Sequence, residues 1–398
     1  MHSPKAPARS AAFPANRLAV SALFLVNGFM VGSWAPKIPE FAASHGLSES
    51  GLGLMIVAFG LGSLVMMPVM GGMIARQGSS QPLKIASVLS VPTLLLLTLA
   101  PNILTAAMTI FLLGGLLGAM DIAMNANAVL VEKRLRRAIM SSCHGFWSLG
   151  GLIGAALGGV LIASVGVVGH ALIVTVLMAV AVAAASPRIS QDRPAPHEDG
   201  AAKQPIRLPR SPVPYLLGLM ALFCMTPEGA VLDWGALYLR QELSATLAQS
   251  GFAFGAFSAT MAVMRFAGDP IRDKLGAVTT LRVCTMLALL GMLVAGQAPN
   301  ATVAIAGFAI AGIGISNMVP IAFSAAGNLP GMAQGIALSL VTFMGYSGIL
   351  IAPSVIGFIA EYLTFSTIFT ALPVLFLVVL AVSGLARHAD MRGEEVPA

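Results

Sequence analysis

Charged residues are scarce in this sequence: Asp, Glu, Lys and Arg make up only 10% of the 398 residues, whereas 57% are hydrophobic. Soluble globular domains carry about a quarter charged residues, so this balance over the whole length excludes a soluble protein. Its charge-free stretches are long enough to cross a bilayer, which takes about 20 apolar residues per helix. The sequence therefore predicts a protein that crosses a membrane many times.

Cysteines and catalytic motifs are also few. Cys143, Cys224 and Cys284 lie inside or at the edge of apolar stretches and lack the spacing of metal ligands. The sequence has no Gly-x4-Gly-Lys-Ser/Thr loop to cradle the phosphates of ATP, and no plausible catalytic triad. We expect no enzyme activity, no cofactor and no metal, so the energy source is an ion gradient or the gradient of a solute.

The net charge is +6, and the basic residues are distributed among the loops rather than clustered in one patch. With both termini inside the cell, 20 of the 22 Lys and Arg residues fall in cytoplasmic segments, and only Lys37 and Arg240 fall outside. This asymmetry sets the orientation of membrane helices. It predicts a multi-pass membrane protein with cytoplasmic termini, in contact with lipid and with no nucleic-acid partner.

Twelve apolar stretches, the first at 17–36 and the last at 362–386, predict an all-α membrane protein. A Pro-rich, charged segment at 187–212 is typical of a cytoplasmic linker, and it separates two six-helix bundles at 1–186 and 213–398. Trp34 and Trp234, like Gly51 and Gly251, recur at one spacing, which indicates an internal duplication. Parallel repeats of this kind rock around a central site.

A lone carboxylate, Asp121, lies near the middle of the fourth predicted helix, with Asn125 on the same face. A charged side chain within a membrane span is costly, so it normally faces a protein interior or a water-filled cavity on an ion or substrate path. Asp121 is accordingly the first candidate for proton coupling. The alternative is a carboxyl group that only bonds neighbouring helices.

The seventh predicted helix carries Glu228 and Asp233, which are five residues apart and so lie on different faces. Glu228 lies deeper, and either shares proton coupling with Asp121 or bonds a hydroxyl group of a neighbouring helix. Asp233 lies near the outer end.

Other polar residues within predicted spans are candidates to line a substrate cavity. His144 and Trp147 share one face of the fifth helix, where His144 either titrates or makes one hydrogen bond between helices as a neutral ring. The remaining candidates are Asn27, Asn125, Asn317 and Tyr346, and Asn317 is the repeat partner of Asp121.

Two short turns resemble the signature loop of the major facilitator superfamily. They read Gly71-Gly-Met-Ile-Ala75-Arg76-Gln-Gly78 and, in the repeat, Asp269-Pro-Ile-Arg-Asp273-Lys274-Leu-Gly276. The resemblance implies that the acid and base of the loop form a charge relay that holds the outward-open state. The first turn has Ala75 in place of the family acid, and the second has Asp269 in place of the leading glycine. The implied gating residues are Arg76, Asp269, Asp273 and Lys274.

Three phrases resemble the fucose-permease branch of that superfamily: Ile38-Pro-Glu-Phe41, Leu117-Gly-Ala-Met-Asp121-Ile-Ala-Met-Asn125 and Phe146-Trp-Ser-Leu-Gly150. By this resemblance Asp121 matches the proton-linked acid of the fourth helix. The first-helix acid of the branch falls on Ala35, and its sugar-binding Gln and Asn fall on His144 and Trp147, so its sugar specificity does not carry over. Other phrases resemble a poorly characterised subgroup of bacterial inner-membrane facilitators.

Lys37 and Asp233 stand near the outer ends of repeat-related helices. We expect them to form an ion pair in the inward-open state only. The alternative is that Lys37 reaches lipid phosphate and Asp233 caps its helix.

The sequence predicts a secondary transporter that works by alternating access. We expect it to be a monomer whose partners are a small-molecule substrate and protons, and which imports a sugar, polyol or related metabolite by proton symport. Proton-driven efflux of drugs or metabolites remains open, because import and export share the fold and the acids. A non-transporting sensor is the third possibility.

Overall fold

The computed structural model describes residues 14–192 and 209–390, and in these residues the chain is helical. Most of the predicted linker, residues 193–208, lies outside the described residues. We refer to residues 14–192 as the first half and residues 209–390 as the second half.

The first half contains seven helices. Asn102 caps the sixth by accepting a hydrogen bond from the N–H of Thr105. Gly166 interrupts the seventh with φ 75° and ψ 170°, a conformation that glycine adopts without strain. The helices are α1 (Ala15–Trp34), α2 (Ile38–Ser44), α3 (Glu49–Gln77), α4 (Ser80–Ser90), α5 (Thr93–Thr98), α6 (Ile103–Leu135) and α7 (Met140–Ala185).

The second half contains eight helices, and Asn300 caps the α11 helix in the same way as Asn102 caps α6. They are α8 (Val213–Glu242), α9 (Leu247–Leu275), α10 (Ala277–Gly296), α11 (Ala301–Ile315), α12 (Met318–Gly327), α13 (Gln334–Ala360), α14 (Phe365–Ala371) and α15 (Pro373–Val382).

Ten helical segments of the described residues are long and apolar enough to cross a membrane. One of them, Met140–Arg188, has 49 residues and contains the break at Gly166, so it covers two of the twelve predicted spans. The α9 helix has 29 residues, is not among the ten segments, and carries five charged residues from Arg265 onward.

The same helix-end device recurs in both halves. The carboxylate of Asp192 accepts hydrogen bonds from the N–H groups of Ser79 and Ser80 at the start of α4, at 2.6 and 3.0 Å. Asp390 accepts one from the N–H of Ala277 at the start of α10, at 2.6 Å. A negative charge stabilises the unpaired N–H groups of a helix N-terminus. Each half thus folds its last residues back onto an internal turn.

Within each half, α1 packs along α7 and α3 along α6, while α8 packs along α13 and α10 along α11. The halves meet where α3 contacts α13 and where α7 contacts α9. We call the end of the bundle that carries Arg76, Lys133 and Lys274, in the last turns of α3, α6 and α9, the basic end. The opposite end is the far end.

Candidate functional site

Asp121 lies near the middle of the 33-residue helix α6 and is 4% exposed. The side-chain amide of Asn125, one turn toward the basic end, donates to the Asp121 backbone carbonyl at 2.9 Å and approaches its carboxylate Oδ1 at 3.4 Å. The carbonyl of the Asn125 side chain lies 3.2 Å from Nε2 of His144 on α7. The three side chains predicted from α6 and α7 therefore form one chain of hydrogen bonds.

The second carboxylate oxygen of Asp121, Oδ2, is buried and has no hydrogen-bond partner with good geometry. The Tyr346 hydroxyl of α13 lies beside this carboxyl group and within electrostatic range of Glu228 and Arg265. Tyr346 thus stands between the predicted acid of the first half and the charged groups of the second half. Asp121 is thus buried and contacted by the neutral groups of Asn125 and Tyr346 rather than by a cation, and an unpaired carboxylate in this position is costly, which favours a role beyond packing.

Asn27 of α1 links its helix to α6 and α7. Its amide donates to the carbonyl oxygen of Leu117 at 3.1 Å, and its side-chain oxygen accepts the indole N–H of Trp147 at 2.9 Å. Asn27 is buried and Trp147 is partly exposed. The aromatic rings of Phe24 and Phe323 pack against His144, with ring centroids 5.2 and 5.8 Å away.

Arg265 of α9 and Glu228 of α8 form an ion pair near the centre of the bundle, with Nη2 and Oε1 3.6 Å apart. Nη1 of Arg265 donates to the hydroxyl of Ser148 on α7 at 2.6 Å, so the guanidinium group bridges the two halves. The charge pattern predicts that Arg265 lies in a cytoplasmic segment, and this prediction is wrong. The side chain is 5% exposed and lies within the helical core.

Asn317 lies between α11 and α12, where its amide donates to Ser316 Oγ at 2.9 Å and approaches the Met264 carbonyl at 3.4 Å. Its side-chain oxygen is buried, lacks a hydrogen-bond partner and faces the backbone of Gly268. These contacts belong to the second half, so the structure places Asn317 in the packing behind Arg265. Its role in substrate binding stays a prediction.

Asp269 ties α9 to the start of α7. Its two oxygens accept the backbone N–H groups of Ser141 and Ser142 at 2.9 and 3.0 Å, and Nη2 of Arg17 lies 4.0 Å away. Asp273, one turn further, accepts the N–H of Ala138 at 2.8 Å. Two of the four predicted loop gating residues therefore join the halves at the basic end. The other two, Arg76 and Lys274, are exposed at the ends of α3 and α9.

Glu132, which was not among the predicted site residues, makes several bonds at the basic end. Its carboxylate pairs with Nη1 of Arg272 at 3.0 Å and accepts the Ser324 hydroxyl at 2.6 Å and the N–H groups of Ile139 and Met140. The side chains of Glu132 and Arg272 are fully buried. One signal is present in the sequence: Glu132 is a single acid directly before a run of basic residues.

Lys37 and Asp233 lie near the far end. The Lys37 ammonium group donates to the Thr98 hydroxyl at 2.5 Å and to the Val167 carbonyl at 2.9 Å, both in its own half. Asp233 is exposed. The inward-open ion pair between them stays a prediction.

The three cysteines are buried free thiols, and the described residues contain no group of three or more His, Cys, Asp or Glu side chains that could hold a metal ion.

Comparisons with known proteins identify the family. The model of the Major Facilitator Superfamily matches residues 20–331 and 234–397. An uncharacterized MFS-type transporter of Yersinia pestis is 33% identical, over 90% of this chain and 92% of its own length. Membrane protein MosC of Rhizobium meliloti is 30% identical, over 87% of this chain and 85% of its own length.

Solved structures share the fold. The Escherichia coli fucose:proton symporter FucP superimposes with a TM-score of 0.78 at 16% identity, over 93% of this chain and 98% of that chain. FucP in the outward conformation gives a TM-score of 0.78 at 17% identity, with the same coverage. The resemblance seen in the two turns and the fourth helix thus extends along the chain, which belongs to the major facilitator superfamily and is a transporter rather than an enzyme.

Proposed function

We propose that this protein is a secondary active transporter that imports a small polar solute with protons, by alternating access. The chain crosses the membrane twelve times, because α7 counts as two spans on either side of Gly166 and α9 counts as one. Two six-helix bundles, 1–186 and 213–398, are joined by the linker 187–212. The protein is a monomer of the bacterial inner membrane, with its basic end and both termini in the cytoplasm.

The observation that carries the proposal is the environment of Asp121. The carboxyl group lies mid-membrane, contacts the neutral groups of Asn125 and Tyr346 rather than a cation, and is the start of a hydrogen-bond chain to His144. A group in this position can take up and release a proton as the surrounding helices move, because its cost as a carboxylate depends on access to water. Glu228 shares this proton-coupling role on the other side of Tyr346.

Bonds between the halves at the basic end support an outward-facing state. Asp269, Asp273 and Glu132 all join the halves there. With this end closed, a solute reaches the centre from the far end. The match to FucP in its outward conformation agrees with this assignment.

The substrate cavity is lined by polar groups that converge near mid-membrane on α1, α6, α7, α8 and α13. They are Asn27, Asn125, His144, Trp147, Glu228 and Tyr346, with Asn317 behind them. Hydrogen-bonding side chains beside an indole ring suit a hydroxylated solute such as a sugar or polyol, and the FucP neighbour is a fucose:proton symporter.

The test uses purified protein reconstituted in vesicles with an imposed inward proton gradient. Labelled sugars, polyols and their acids are supplied one at a time. We expect at least one solute to accumulate above its external concentration and to carry protons that a trapped pH dye reports. Asp121→Asn should abolish accumulation but leave solute exchange. Accumulation that is indifferent to the proton gradient would remove the coupling from the account.

A further inference from the structure

Arg265 is a permanent positive charge placed deep in the bundle. It lies ten residues before Leu275, the end of α9, which corresponds to about 15 Å along the helix axis. A guanidinium group stays protonated at any physiological pH. Its side chain is 5% exposed. Placing such a charge in hydrocarbon is costly, so the position calls for an anionic partner.

The partner that the protein itself supplies is a loose one. Nη2 of Arg265 and Oε1 of Glu228 are 3.6 Å apart, beyond the distance of a good N–H···O hydrogen bond. The closest contact of the guanidinium group is the neutral hydroxyl of Ser148 at 2.6 Å, and Nε approaches the Ser316 carbonyl at 3.4 Å. Because a guanidinium group has five N–H donors, part of its capacity is left unused.

Arg265 also lies next to the predicted solute-binding groups. Its partner Ser148 directly follows Trp147 on α7, and Ser148 donates to the backbone carbonyl of His144 at 3.1 Å. Glu228 is more accessible than Arg265, at 13% of its side chain. A solute held by Trp147 and His144 would therefore reach the guanidinium group from the side on which Glu228 is exposed.

We propose that the transported solute carries a carboxylate and that Arg265 binds this carboxylate in place of Glu228. The inference rests on the proposed transport function and narrows its substrate class to small polyhydroxylated monocarboxylates, the acids that correspond to sugars and polyols. The planar fork of a guanidinium group pairs with a carboxylate through two parallel hydrogen bonds, which a hydroxyl group cannot reproduce. Hydroxyl groups of the solute then face Asn27, Asn125 and His144.

The test compares matched probes on the full-length protein in detergent and in vesicles: gluconate against sorbitol, galactonate against galactitol, and glucuronate against glucose. We expect each acid that binds to raise the melting temperature of the protein more than its neutral counterpart does at equal concentration. The acid should also be the better transported member of the pair. If the neutral member matches or exceeds the acid in every pair, or no acid has any effect, the inference is overturned.

Substitutions of Glu228 and Arg265 should change the affinity for the acid in opposite directions. Glu228→Gln removes the competing carboxylate, so we expect the affinity for the best acid to rise about tenfold. Arg265→Gln should lower that affinity by about tenfold to a hundredfold, and Arg265→Lys by less, because it keeps the charge but loses the fork. Arg282→Gln is the matched control: Arg282 also bonds a serine, Ser383 at 2.9 Å, but lies at an exposed position of α10, and binding should not change.

Failure of this inference differs from failure of the proposed function. Proton-driven accumulation of neutral sugars, with no preference for acids, would overturn the inference and keep the function. Binding and downhill transport of acids without proton coupling would keep the inference and overturn the coupling. If Glu228→Gln weakens acid binding while the variant keeps the wild-type melting temperature, Glu228 does not compete with the solute and the inference fails.

Discussion

Where α3 meets α13, Gly71 packs against Gly335 and Ser339; where α7 meets α9, Asp269 occupies the repeat position of Gly71. The first contact is a close approach of backbones: a Cβ atom at Gly71 would lie 2.4 Å from the Cβ of Ser339 and 2.7 Å from the carbonyl oxygen of Gly335. The second is ionic, with the Asp269 carboxylate accepting two backbone N–H groups of α7.

This difference indicates that the contact at Gly71 depends on steric fit, whereas the contact at Asp269 depends on charge. The glycine contact has no ionised group, so it should hold over a wide range of salt concentration. The charged contact depends on buried partners, and under the proposed alternating access these partners separate when the basic end opens. Asp269 replaces the leading glycine of the family loop, whereas the family acid is missing at Ala75 in the first half and present at Asp273 in the second.

Breaking the buried Glu132–Arg272 pair, which joins α6 to α9 beside the charged contact, should have the largest effect. Arg272→Gln leaves the Glu132 carboxylate buried without its counterion, and removing one partner of such a pair costs about 3–5 kcal/mol. We expect a large fall in melting temperature in detergent. Lys274→Gln, two residues along the same helix and exposed, serves as the control and should leave the melting temperature unchanged. Equal melting temperatures for the two variants would contradict the assignment of Glu132 and Arg272 as a buried pair that stabilises the protein.

Removing the charge of Asp269 tests whether the contact is specific to one state. Asp269→Asn keeps one acceptor and loses a charge-assisted hydrogen bond to α7, worth about 1.5–3 kcal/mol. The Ala126→Cys substitution places a reporter cysteine at a buried site on α6. The backbone carbonyl of this residue accepts a hydrogen bond from Gln334 of α13, so labelling of the cysteine reports opening of the basic end. Maleimide labelling in a background without the native cysteines should become faster. Unchanged labelling would mean that Asp269 has no part in closing this end.

The glycine contact should respond to volume alone. Gly71→Ala places a methyl group against Ser339, and overpacking of this kind costs about 1–3 kcal/mol. Ser339→Gly in the same chain should recover part of the loss. Gly53→Ala, on the same helix with no atom within 4 Å of the new Cβ, is the control and should not destabilise. If Gly71→Ala and Gly53→Ala have the same melting temperature, α3 and α13 do not pack tightly at Gly71.

The predicted pair at the far end should give the smallest effect. Asp233 is exposed, and an ion pair that water reaches contributes about 0–1 kcal/mol, so Asp233→Ala should slightly favour the outward-open state and slow labelling of the Ala126→Cys reporter. Lys37→Ala acts in the same direction but also loses the bonds to Thr98 and Val167. The double variant should add nothing beyond the Lys37→Ala effect. Additive effects would mean that the two charges never meet.

The membrane helices and the family could be predicted from the sequence. Hydropathy and glycine patterns are properties of residues that lie close together in the chain. Asp121 was found for the same reason: a single acid within a long apolar run is conspicuous. The α6–α7 network was predicted in part, since Asn125 and His144 were candidates but their hydrogen bond depends on how two helices pack.

Arg265, Arg272 and Glu132 could not be placed from the sequence. Each lies toward the charged end of its helix, where the chain alone does not distinguish a solvated loop from a buried contact. Arg272 was counted with the cytoplasmic segments, whereas the helix that carries it continues to Leu275. Their partners come from other helices, far away in sequence.

The most direct test of the account is the separation of solute exchange from proton-driven accumulation in the Asp121→Asn variant. Vesicles are loaded with the solute that the wild-type protein accumulates, and exchange is measured without a gradient, followed by uptake with an imposed inward proton gradient. The account predicts that the variant exchanges solute at a rate near that of the wild type and accumulates none. Wild-type accumulation by the variant would contradict the assignment of Asp121 as the coupling group.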